Sequence, residues 1–154
     1  MLVIFHYFVV CDRIVIYHYF EGRKKIVKDS TICVLRRHGV VRESKGVDYI
    51  IELVDMHLFH PRDMLMSKIF KDVAHKYGVE KKIIFCSLRG IAQTMRRKNP
   101  EWYTQVFSKG FDSYTFVKII SREVMVAYCA YLEGLEAFPC KAPSSPPRGQ
   151  RLPL

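Results

Sequence analysis

The stretch from Phe70 to Arg89, FKDVAHKYGVEKKIIFCSLR, constrains this chain more than any other. It predicts a helix, a tight turn and a second helix. Val73 and Ala74 fall one turn before the bend, and Ala74 is small enough to let a second helix pack close. Gly78 stands where the first helix must stop in a left-handed backbone conformation, which glycine adopts most cheaply. Val79 then plugs the core, and Ile84 and Leu88 bury the inner face of the second helix. This is the pattern by which a helix-turn-helix offers one helix to a DNA major groove. It equally fits an ordinary helical hairpin in an all-α domain.

The charge is concentrated around that stretch. The 154 residues carry a formal net charge of +10. From Pro61 to Asn99 there are ten Lys or Arg against three acids. A basic field centred on a helix pair suits a polyanion such as nucleic acid. The plain alternative is a solubilising face on a small basic protein.

A hydrophobic content of 49% with 13% aromatics argues against global disorder, and the length suits one domain with a real core. Cys11, Cys33, Cys86, Cys129 and Cys140 are odd in number and never form a Cys-x-x-Cys pair. That pattern predicts reduced thiols in a cytoplasmic protein, without a zinc site or disulfide framework. His57 and His60 lie near Asp55 and Asp63, but no ligand set of recognised spacing follows. No Gly-rich phosphate loop, nucleophile elbow or paired carboxylates appear, so no catalytic residue, metal or cofactor is expected.

Residues 1–20 are apolar and aromatic, with His6-Tyr7-Phe8 echoed by His18-Tyr19-Phe20. Asp12-Arg13 interrupts the run, so neither half reaches the roughly 20 apolar residues that span a bilayer. No basic leader or cleavage site makes it a signal peptide. Its Val, Ile, Tyr and Phe content predicts two short strands around a turn at residues 11–13. An interfacial anchor, a dimerising hairpin and a non-native extension are the other readings. Glu21 to Lys28 reads as a charged connector. Asp29-Ser30 can then cap a helix over Thr31–His38, which Gly39 ends.

Ser44 or Gly46 opens the next helix, with Val47, Ile50, Ile51, Val54 and Leu58 at helical spacing. Pro61 starts the following segment. Met64, Leu65, Ile69, Val73 and Tyr77 continue the apolar stripe. The second helix of the pair runs from about Glu80 to Arg97, with Ile84, Leu88, Ile91 and Met95 inward. Asn99-Pro100-Glu101 starts a short helix, and Asp112-Ser113 caps the last long one, which Gly134 can end. From Lys141 the composition predicts a disordered tail.

Taken in order, these residues resemble the DNA-binding effector domain family of stage zero sporulation protein A. Gly39-Val40, Lys45-Gly46 and Tyr49 match the family's opening segment at the same spacing. Pro61 falls where the family has a proline between helices. Asp72-Val73-Ala74-His75-Lys76-Tyr77 is similar to its Asp-Ile-Ala-Lys-Lys-Phe/Tyr. Ile84, Ser87, Leu88 and Arg89 match apolar, small, apolar and Arg positions of its recognition helix. Ser113 to Val117 is similar to the start of its last helix. The likeness covers about residues 29–125, with one small gap before Asp72.

The resemblance implies an all-α bundle of about six helices that contains a helix-turn-helix and regulates transcription. The expected layout is an apolar extension with a charged connector over 1–28, the helical effector domain over 29–138, and a tail over 139–154. In the family this domain follows a phospho-receiver. Residues 1–28 are too few to form one, so phosphorylation control is not carried over. The expected partner is double-stranded DNA, with a homodimer as a further one and no membrane.

The family's base-reading Arg, Glu and Arg positions are occupied here by Ile83, Phe85 and Cys86, which cannot make bidentate guanine contacts. Candidate DNA-contacting residues are therefore Lys76, Lys81, Lys82 and Arg89 on phosphates, with Phe85 and Cys86 beside them. In the rival reading, Ile83, Phe85 and Cys86 form an exposed apolar patch of a protein-interaction module that has lost sequence-specific reading.

Overall fold

The computed structural model describes residues 13–59 and 65–132, and six helices with no strand run through them. They are α1 (Arg13–Arg37), α2 (Lys45–Phe59), α3 (Met66–Tyr77), α4 (Lys81–Lys98), α5 (Pro100–Val106) and α6 (Ser113–Leu132). The all-α expectation holds over these residues.

Helix α2 is the hub. It packs against α1, α3, α4 and α6. Its buried Val47, Ile50, Leu53 and Val54 recur at helical spacing, so one stripe of the helix is inside. Gly46, in its first turn, permits a close crossing: a Cβ there would lie 2.9 Å from Ile91 Cδ1 and 3.4 Å from Ser87 Cβ. The Ser44 hydroxyl accepts a hydrogen bond from the Val47 amide at 3.3 Å, which marks the start of α2. Phe70 of α3 and Phe116 of α6 are fully buried in the same core.

Helix ends follow the local chemistry. Gly78 closes α3 with φ +63°, its amide bonding to the His75 carbonyl and the Val79 amide to the Ala74 carbonyl. That is a Schellman closure, with Val79 then packed on the core as the pattern required. Gly39 closes α1 in the same way. Asn99 Oδ1 accepts from the Trp102 amide at 3.4 Å ahead of Pro100, and Asp112 Oδ2 accepts from the Thr115 amide at 2.9 Å. Both expected caps are therefore made.

The N-terminal reading needs correction. The second expected strand, the charged connector and the Asp29-Ser30 cap all lie inside one helix, α1. A domain boundary at residues 28–29 therefore falls mid-helix. Val27, Ser30, Thr31, Val34, Leu35 and His38 are buried at helical spacing, so the apolar stripe runs back through the supposed connector. Arg23, Lys24 and Lys25 favour helix, and no proline interrupts them. Thr31 Oγ1 donates to the Val27 carbonyl at 2.7 Å, one turn back along the same helix. The first expected strand, Gly134, the tail over 139–154, His60 and Pro61 lie outside the described residues.

The reduced-thiol expectation also changes. Cys86 and Cys129 are free, but Cys33 is disulfide-bonded. Spacing along a chain does not say which Cα atoms a fold brings within the 4–7 Å or so that a bridge needs. The cytoplasmic expectation thus loses one of its supports. None of the described helices is long and apolar enough to cross a membrane. No group of three or more His, Cys, Asp or Glu gathers as a metal site among the described residues. His57 is half-buried, and burial first, then nearby Lys118, pushes its pKa down.

Candidate nucleic-acid interface

Helix α4 holds six cations, Lys81, Lys82, Arg89, Arg96, Arg97 and Lys98, and no acid. Its inner stripe is Ile84, Leu88, Ile91, Ala92 and Met95, all buried. At 3.6 residues per turn, Lys82, Cys86, Arg89, Gln93 and Arg97 fall within an arc of about 80° opposite that stripe. Every one of them is exposed. Lys82 and Arg89 therefore stand on one outward face, two turns apart. Lys82 and Arg89 make no ion pair among the described residues, and Arg97 bonds only to Thr94, at 3.4 Å.

Lys81 and Lys82 occupy the first turn, where the helix dipole is positive. A cation there opposes the dipole by about 0.3–1 kcal/mol, so helix stability does not explain these two. Arg96, Arg97 and Lys98 sit at the end where the dipole favours cations, so their placement also stabilises the helix. Glu80, at the N-cap, is the nearest acid in sequence; it is exposed, and its side chain makes no cap bond.

The six expected contact residues separate into groups. Lys82, Cys86 and Arg89 share the outer face. Lys81 is half-buried on the flank, its Nζ 6.0 Å from the centre of the Phe85 ring. Phe85 itself turns inward. It stacks on Phe70 at 5.0 Å and 17°, and lies 5.7 Å from Tyr114. It is thus unavailable as a DNA contact, because its position borders the buried stripe and two other rings, Phe70 and Tyr114, pack against it there.

Lys76 is also committed elsewhere. Its Nζ lies 2.6 Å from Glu52 Oε1 on α2. That hydrogen bond is the main cause of a raised Lys76 pKa; burial opposes it, and the Glu52, Tyr77 and Asp55 charges add to it. Burial, and then Glu52, raise the Tyr77 pKa beside it. Lys76 braces α3 on α2 more than it offers charge outward.

The helical period adds three residues that the motif comparison passed over. Gln93 and Arg97 extend the outer face, and Gly90 lies between Arg89 and Gln93. Gly90 is exposed, has no positive φ, and a Cβ there would meet nothing within 4 Å. A glycine inside a helix costs about 0.5–1 kcal/mol relative to alanine. On α3, Lys68, Lys71 and His75 are exposed and also share an outer face by the same period. Away from this surface, His38 Nε2 lies 2.7 Å from Glu123 Oε2 while its ring rests 4.0 Å from Trp102, so Trp102 belongs to the packing of α1, α5 and α6.

No protein-family model, curated protein or solved structure matches the chain.

Proposed function

We propose that this protein is a DNA-binding transcriptional regulator of the sporulation-effector type, with α3 and α4 as its helix-turn-helix and α4 as the helix that enters the major groove. One observation carries the reading: α4 presents Lys82, Arg89 and Arg97 on a face with no acid, opposite a wholly apolar stripe. The misfit of Lys81 and Lys82 with the helix dipole supports it, since their placement gains nothing for the helix. The series of residues resembling the sporulation effector family supports it independently. A major groove about 12 Å wide admits one such helix.

The protein-interaction reading is weaker. It requires Ile83, Phe85 and Cys86 as one apolar patch, and Phe85 is taken up by Phe70 and Tyr114. Ile83, 47% exposed, and Cys86 remain.

Fluorescence anisotropy of a labelled mixed-sequence duplex tests the proposal with the full chain. Affinity should fall steeply as salt rises, because bound cations displace condensed counterions. No binding at low salt, or a flat salt response, rejects it.

A further inference from the structure

We infer that base reading, if the α4 face binds DNA as proposed above, is carried by Arg89 and Gln93 in the middle turns of α4 rather than by its first turns. The inference rests on that reading and adds to it the residues that set specificity.

The three positions that read bases in the resembled family, Ile83, Phe85 and Cys86 here, cannot do so. Ile83 lacks polar atoms, Phe85 is stacked inward, and Cys86 is a weak donor and acceptor. Four residues apart, Arg89 and Gln93 are neighbours on the outer face. Arginine reads guanine through O6 and N7, and glutamine reads adenine through N6 and N7, each by a bidentate pair. Both side chains are exposed, and no hydrogen bond or ion pair within the described residues holds either one. Lys82 lies two turns before Arg89 and Arg97 one turn beyond Gln93, so each end of the pair has a cation to take a phosphate.

Gly90 follows Arg89 in sequence and lies at the edge of the outer face, on the side of Gln93. The other glycines of this region have reasons inside the fold: Gly39 and Gly78 for their positive φ, Gly46 for its approach to Ile91. Gly90 has neither reason. Its missing side chain lets the backbone of α4 come close to a groove wall beside Gln93.

The test is selection of bound duplexes from a random pool, run on the full chain and on Arg89→Lys and Gln93→Ala. Lysine keeps the charge of Arg89 and loses the planar fork. The expected result is one motif for the parent, with one position relaxed by Arg89→Lys and a different position relaxed by Gln93→Ala. Preference at each affected position should fall on the order of tenfold. Gly90→Leu should weaken binding by roughly tenfold, a steric loss equal to one decade in affinity. Gly22→Leu, at an equally open site on α1, should not.

Thermal melts establish that all four variants fold. A motif recovered unchanged by both Arg89→Lys and Gln93→Ala overturns the inference while DNA binding stands. Binding without any motif overturns it in the same way. A parent that captures no duplex overturns both this inference and the proposed function.

Discussion

Lys82 stands at the end of α4 where a cation costs helix stability, and it is exposed without an ion-pair partner among the described residues. The two properties can be separated by one substitution. Lys82→Glu should stabilise the fold by about 0.5 kcal/mol through the helix dipole, read as a small rise in melting temperature. The same change should weaken duplex binding. A variant that is both more stable and equally tight on DNA would remove Lys82 from the interface. Single residues were unevenly legible in the sequence. The period of α4 already put Lys82 and Arg89 outside. It could not place Phe85, which borders the buried stripe and is decided by Tyr114 on a distant element. Nor could it pair Lys76 with Glu52, a contact set by how α2 and α3 cross.

The helices owe their register to close approaches and caps. Gly46→Ala should forfeit the gain of about 0.5–1 kcal/mol that alanine otherwise brings to a helix, because its new Cβ overlaps the Ile91 side chain. Ile91→Val removes the Cδ1 atom concerned, so the double variant should recover part of that loss in chemical denaturation. Strict additivity of the two costs would mean that the crossing of α2 on α4 is looser than described. At the start of α6, Asp112 Oδ2 accepts from the Thr115 hydroxyl at 2.7 Å and from its amide at 2.9 Å. The hydroxyl bond is the chief cause of the lowered Asp112 pKa, and partial burial opposes it. A depressed carboxyl pKa stabilises the fold above the ordinary value of 3.8 and loses that effect as pH falls through the lower folded value. Asp112→Ala should therefore cost about 1 kcal/mol at neutral pH, with the gap to the parent closing in melts taken below pH 3.8. Elements with punctuation of this kind, Gly78 or Asn99-Pro100 or Asp112, were readable from sequence. The first half of α1 was not. Its Val, Ile, Tyr and Phe residues favour strands in isolation, and packing decides such segments more than propensity does.

At the scale of the whole molecule, a core centred on α2 fixes α3 and α4 as a hairpin and turns the acid-free face of α4 away from it. The basic excess between Pro61 and Asn99 was visible in composition, but its division among Lys76 paired with Glu52, Lys81 on an aromatic flank and Lys82 on the outer face required the packing. That division can be measured. The slope of log affinity against log salt counts phosphate contacts, each lysine or arginine contributing about one unit. For Lys82→Ala/Arg89→Ala the slope on a mixed-sequence duplex should be shallower by about two units than the parent's. Lys76→Ala, whose charge is already spent on Glu52, should leave it nearly unchanged. A double variant that keeps the parent slope, or a larger loss from Lys76→Ala, would contradict the assignment of the α4 outer face as the DNA-binding surface.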